Sequence, residues 1–121
     1  MSSYEDKVVR LLRAASIKFE REKTFEDLRQ GRYRFDFYLT RRKVCIEVDG
    51  QFHWKPIRGR KELLAQQERD RRKNSYCLAN NIPLYRIPYW EIDSLKSSKD
   101  LFQEKFLVKT RYHNDYLNAP K

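Results

Sequence analysis

Apolar positions recur along the chain with two different periods, and the places where the period changes mark out the elements. Val8, Leu11, Leu12 and Ala15 recur at helical spacing, which predicts a helix from Ser2 or Ser3 to about Ala15. Ser2-x-x-Glu5 fits a capping box at its start. Residues 17–25 then alternate apolar and charged side chains, as a half-exposed edge strand does. Residues 33–39 and 44–49 read as two more strands, joined by the turn Thr40-Arg41-Arg42-Lys43. Residues 62–80 form the longest predicted helix. Its inner stripe is Leu63, Leu64, Gln67, Asp70 or Arg71, Asn74, Cys77 and Leu78, apolar at both ends and polar in the middle. Asn80-Asn81-Ile82-Pro83 closes that helix, since Asn adopts the left-handed cap and Pro prevents continuation. A short strand follows at 84–89, then a last helix at 94–108 covered by Leu95, Leu101, Phe102, Phe106 and Val108. Residues 111–121 are polar and predicted to be a loosely held tail on a single domain spanning 1–121. The order predicts an α/β domain, a mixed central sheet flanked by helices.

The two middle strands carry more than a hydrophobic pattern. Alternate residues of a strand share a face. Phe35, Phe37 and Leu39 therefore point one way, and Arg34, Asp36 and Tyr38 the other. On the next strand Val44, Ile46 and Val48 oppose Cys45, Glu47 and Asp49. Burying the apolar faces together brings Asp36, Glu47 and Asp49 to one side. Like charges this close raise each other's pKa unless a cation neutralises them, and a divalent metal is the usual cation. Asp36, Glu47 and Asp49 are thus the candidate metal ligands, an oxygen set suited to Mg²⁺ or Mn²⁺. No second His or Cys sits at zinc-ligand spacing. Gln51 and His53 follow the strand at once. His53 titrates near neutrality and is a candidate general acid or base, its ring expected to face Asp36 and Glu47; a structural role at the strand end is the alternative. Glu5 either caps its helix or is presented to the acids. Asp70, in the polar interruption of the long helix, is a further candidate, although Glu68-Arg69-Asp70-Arg71-Arg72-Lys73 also reads as a solvated, self-paired face.

Charge points to the partner. Lys and Arg number 27 against 17 Asp and Glu, a net charge of +10. Such a surplus suggests a polyanion, most commonly nucleic acid. Arg41, Arg42 and Lys43 form one cationic segment, and Lys55, Arg58, Arg60 and Lys61 another, in a loop broken by Pro56 and Gly59. Each is either a phosphate contact or an ordinary solvated loop. No apolar run approaches the ~20 residues needed to span a bilayer, and the first residues lack a signal-peptide pattern. A cytoplasmic protein is expected, with Cys45 and Cys77 reduced in the core.

The run I-E-V-D-G-Q-F-H, preceded by F-D-F and followed in a helix by E-R-D-R-R-K-N, resembles the PD-(D/E)XK nuclease superfamily. It is most similar to the compact branch of very-short-patch repair and EDxHD homing endonucleases, over residues 5–90. The resemblance implies a restriction-endonuclease-like core and metal-dependent hydrolysis of DNA, double-stranded by expectation, with no small-molecule cofactor. It makes Asp36 the first strand acid and Glu47 the second, and places Glu5, His53 and Asp70 where members carry further catalytic groups. The lysine usual two residues after the second acid falls at Asp49 here, so no lysine is present. With Asp49 as the second acid, Gln51 occupies the lysine position instead. Site-specific cutting at this size implies a homodimer or a helper. Two other readings stay open: a structure-selective nuclease such as a Holliday junction resolvase, and a non-catalytic basic DNA-binding module. In the last, Arg34, Arg71 or Arg86 would pair the acids.

Overall fold

The computed structural model describes residues 3–113. Its principal elements are α1 (Ser3–Ala14), β1 (Glu20–Thr24), β2 (Arg34–Leu39), β3 (Val44–Asp49), α2 (Arg60–Ala79) and β4 (Leu84–Pro88). The strands form one sheet in the order β1-β2-β3-β4, antiparallel at the first two pairings and parallel at the third. Parallel pairing requires a crossover, and α2 provides it. The expected α/β class with a mixed sheet is therefore what the chain adopts.

Both faces of the sheet are covered. On one, Val8, Val9 and Leu12 of α1 pack on Phe37, Leu39, Ile46, Val48 and Ile87. On the other, Cys77 of α2 packs with Leu28, Phe35, Cys45 and Leu84. β3 lies between β2 and β4 and is buried from Cys45 to Asp49, so its face towards α2 must bury whatever the sequence puts there. After Cys45 that means Glu47 and Asp49.

Phe35 and Phe37 depart from the expected alternation. Phe37 packs edge-on against Phe19 in the α1 core, ring centroids 5.7 Å apart. Phe35 packs against Phe25 in the α2 core at 5.6 Å. The reason lies in β1, where Glu22 sits between the pairs Arg21↔Phe37 and Lys23↔Phe35 with φ 55. The change of face also falls where β2 leaves β3, whose pairing ends at Phe37↔Ile46.

The predicted helix at 94–108 does not form. Three short 3-10 turns, Tyr89–Ser94, Ser98–Phe102 and Glu104–Phe106, are separated by extended backbone at Leu95, Ser97 and Gln103. Asp100 is the local cause. Its carboxylate accepts from the Lys96 and Ser97 amides at 2.7 and 3.2 Å, a side-chain alternative to a continuing helical ladder. Leu95, Leu101 and Phe106 are nevertheless buried as expected. Residues 111–113 are better held than a loose tail: the Asn74 side chain donates to the Arg111 carbonyl at 3.0 Å, and the Arg71 guanidinium lies 5.6 Å from the Tyr112 ring centre. The rest of the predicted tail, 114–121, and Ser2 of the predicted capping box lie outside the described residues.

The left-handed residue in β1 gives a stability prediction. A non-glycine residue in that conformation costs roughly 1–2 kcal/mol, against roughly 0.5–1 kcal/mol of extra chain entropy for glycine. Glu22→Gly should therefore raise unfolding stability by about 0.5–1 kcal/mol, read from urea titration in EDTA. Destabilisation would mean that the Glu22 side chain contributes more than its backbone strain removes.

Candidate functional site

The face of β3 towards α2 carries two carboxylates into the interior, and the neighbouring elements answer each with a cation. Lys73 of α2 donates to Glu47 Oε1 at 2.6 Å. Arg86 of β4, the register partner of Glu47, donates through Nη1 to Asp49 Oδ1 at 2.8 Å. The same Nη1 lies 3.6 Å from Asp70 Oδ1 on α2. Burial alone would raise the pKa of Glu47, but Lys73 and Arg86 outweigh it and hold the carboxyl below its usual range. Burial likewise opposes the charge on Arg86, and Asp49 and Asp70 override it. Two of the three expected metal ligands are therefore already paired within the protein.

After Asp49 the chain turns through a 3-10 segment, Gln51–His53, which carries the histidine back towards α2. His53 Nδ1 lies 2.7 Å from Asp70 Oδ2 and 3.6 Å from Asp49 Oδ1. The ring thus faces Asp49 and Asp70, and not Asp36 and Glu47 as expected. The physical reason is α2, whose polar inner stripe places fully buried Asp70 beneath the turn. Gln66 Nε2 donates to the other Asp70 oxygen at 3.1 Å. Burial disfavours the charged imidazole, but Asp49 and Asp70 more than compensate and its pKa is raised. Burial raises Asp70 in turn, while Arg86 and His53 bring it below its usual range. An ionised Asp70 only accepts, so His53 Nδ1 carries the proton. That leaves Nε2 as the nitrogen available for chemistry.

Asp36 is treated differently. Its Oδ2 accepts from the Val48 amide at 2.7 Å. Among the described residues no basic side chain forms an ion pair with it. Burial and the adjacent charge of Glu47 push its carboxyl well above the usual carboxylate range. Oxygen atoms of Glu5, Glu22 and Asp36 all lie within 4.8 Å of one another, and Arg21 donates to Glu5 Oε1 at 2.6 Å. Glu5 thus lies beside Asp36 and Glu22 and accepts from Arg21. A second group, Asp49, His53 and Asp70, meets the same 4.8 Å limit, and this buried acidic cluster could hold a metal ion. The two groups differ in charge. Arg86 already stands between Asp49 and Asp70, whereas Glu5, Glu22 and Asp36 offer three carboxylates to one arginine. The all-oxygen group is the better fit to a hard divalent cation.

Glu5, Gln51 and His53 line one open cleft of about 360 Å³, together with Tyr4, Val48, Gly50, Phe52 and Gln66. The basic loop after Trp54 borders this end of the molecule: Lys55 and Arg58 line an adjoining pocket with Phe52 and Arg69, and Arg58 stacks 4.3 Å from the Phe52 ring centre. Arg41, Arg42 and Lys43 are elsewhere. They precede β3 whereas Gln51 follows it, a separation of about 17 Å at ~3.4 Å per residue. Arg42 instead lies over the Phe102 ring. Compared with family models, curated proteins and solved structures, the chain matches none of them.

Four residues of the site escape sequence reading: Lys73, Glu22, Arg21 and Gln66, while Asn74 is placed on the inner stripe of α2 without a role. Lys73 carried one signal, since it lies three positions after Asp70 and so on a neighbouring face of α2. Glu22 and Arg21 carried none, because their approach to Asp36 depends on the left-handed turn in β1.

The raised Asp36 pKa fixes a sign. Folding makes Asp36 hold its proton more tightly, so its contribution to stability is present below the ordinary value of 3.8 and lost as pH rises through the raised value. In EDTA, Asp36→Asn should therefore gain stability relative to the parent as pH rises, measured by urea titration at successive pH values. Binding of Mg²⁺ or Mn²⁺ should release a proton from the parent and not from Asp36→Asn, read by calorimetry in buffers of different ionisation enthalpy. Equal proton release in both would remove Asp36 from the cation site.

Proposed function

We propose that the chain is a metal-dependent DNA endonuclease with a restriction-endonuclease-like core. One observation carries this reading: Glu5, one of three carboxylates gathered with Glu22 and Asp36, and a histidine held by a buried aspartate line the same cleft. A basic loop beside that cleft suits the phosphate backbone of double-stranded DNA.

A divalent cation of the Mg²⁺ or Mn²⁺ type, held by Asp36 with Glu5 and Glu22, would neutralise charge on the phosphodiester. The protein's own groups manage the proton. A water oxygen forms a bond to phosphorus, the bond to the leaving oxygen breaks, and His53 Nε2 takes the water's proton. Asp70, accepting from Nδ1, holds the ring and stabilises the imidazolium that results. Lys73 keeps Glu47 ionised beside Asp36, the place a lysine of the linear motif would serve. Cutting both strands at one site would require two copies of the chain.

A second reading rests on a specific observation. Arg86 and Lys73 pair Asp49, Asp70 and Glu47 inside the protein, which is what a purely structural set of acids in a DNA-binding module would look like. Asp36 separates the two readings, because a binder gains nothing from leaving it uncompensated.

Cleavage decides between them. Linear, nicked, mismatched and four-way DNA are incubated with Mg²⁺, Mn²⁺ or EDTA. Cutting that needs the ion is expected, lost in Asp36→Asn with DNA binding equal or tighter, since one negative charge near phosphate is gone. His53→Ala should lower the rate by about 10²- to 10⁴-fold. Binding by the parent without cutting on any substrate would favour the module.

DNA affinity should fall steeply with salt through counterion release. Replacing Arg58, Arg60 and Lys61 together by Ala should flatten that slope, whereas replacing Arg41, Arg42 and Lys43 should leave it nearly unchanged. The reverse result would place the DNA at the other end of β3.

A further inference from the structure

We propose that Arg86 is a positioning residue for His53, aimed by Asn74 and acting through Asp49 and Asp70. The inference rests on the hydrolytic reading above. Arg86 is not one of the residues lining the cleft, so whatever it does for the reaction passes through other side chains. It is almost wholly buried on β4, and each part of its guanidinium has an acceptor. Nε donates to Asn74 Oδ1 at 2.7 Å, Nη1 to Asp49 Oδ1 at 2.8 Å, and Nη2 to the Asp70 carbonyl at 3.3 Å. Nη1 also lies 3.6 Å from Asp70 Oδ1. One planar fork thereby fixes a carboxylate at the end of β3 relative to a carboxylate in the middle of α2. Those are the two carboxylates that His53 Nδ1 touches, at 3.6 and 2.7 Å.

Stability does not call for this arrangement. Buried ionic clusters replaced by apolar groups of similar volume are often no less stable. What the fork supplies is direction, because a guanidinium holds its partners in one plane where an ammonium does not. Asn74 sets that plane. Its Oδ1 is engaged by Arg86 while its Nδ2 donates to the Arg111 carbonyl, so the amide is held at both ends. An aspartate there could accept from Arg86 but could not donate to Arg111.

Asn74→Ala removes the acceptor while keeping every charge, and Arg86→Lys keeps the charge while losing the fork. Single-turnover cleavage of duplex DNA with Mn²⁺, DNA Kd without metal, and thermal unfolding are measured for both. Each variant should cut at least about tenfold more slowly, with Kd within about twofold and, for Asn74→Ala, a cooperative unfolding transition retained. His53→Ala added to Asn74→Ala should cost far less than the product of the two single losses, because both act through one imidazole. The proposal is overturned if Asn74→Ala cuts within about fivefold of the parent, or if its effect multiplies in full with that of His53→Ala. Should Arg86→Lys fail to fold, Asn74→Ala decides alone. If the parent cuts no DNA with any metal, the hydrolytic reading fails separately. Positioning is then read from the ¹⁵N shift of His53 Nδ1, and a shift unchanged in Asn74→Ala overturns it.

Discussion

Arg86, buried between Asp49 and Asp70, is the contact on which this half of the molecule depends. A guanidinium and two carboxylates taken out of water are tolerated only where every charged group finds partners. Here the partners come from three elements: β3 supplies Asp49, β4 supplies Arg86, and α2 supplies Asp70 and Asn74. The crossover helix is thus tied to the parallel strand pair by polar bonds where an ordinary domain would use aliphatic packing. The hydrophobic part of α2 in this core shrinks accordingly, to Cys77 and partly buried Tyr76 near its end. The charges leave a remainder of one negative unit, two carboxylates against one arginine, and a protonated His53 would complete the balance.

The same arithmetic repeats along β3 with different outcomes. Glu47 receives Lys73, and Glu5 receives Arg21, yet Asp36 between them receives a backbone amide and, among the described residues, no ion pair. In a chain with 27 basic residues, cations are not scarce. Their placement inside is selective: among the described residues Glu47, Asp49, Asp70 and Glu5 each have a basic partner, and Asp36 forms no ion pair.

Much of this was legible because strand alternation is strict where burial enforces it. β3 kept its predicted faces, Ile46 and Val48 towards α1 and Glu47 and Asp49 towards α2, because it is covered on both sides. β2 did not, since its partner β1 is a half-exposed edge strand free to turn over at Glu22, and no residue type at that position advertises a left-handed conformation. The polar interruption in the 62–80 pattern placed Asp70 on the inner face, and it is fully buried. Its partner His53 was visible as a residue but not as a direction, because a single 3-10 turn decides which carboxylate the ring meets. Lys73 was not visible as a partner of Glu47 because it arrives from 26 residues away across a helix. The last segment failed for a local reason: its apolar spacing fits a helix, and Asp100 bonding two amides of the preceding turn breaks it.

The decisive contrast is between the two acidic groups. A protein that merely buries acids beneath a DNA-binding surface lowers their free energy by pairing them, as Asp49, Asp70 and Glu47 are paired. Burial beside Glu47 holds the Asp36 carboxyl well above the usual range, so keeping it ionised costs stability as pH rises. Glu22 adds backbone strain at the same place. Two independent costs converging on one group of oxygens are hard to account for by folding alone, and a cation would remove the first while giving the second a purpose. Strain and a raised carboxyl pKa gathered on one group of acids, of which Glu5 reaches the cleft, are features that working sites share. That convergence is the ground on which catalysis is proposed over binding alone.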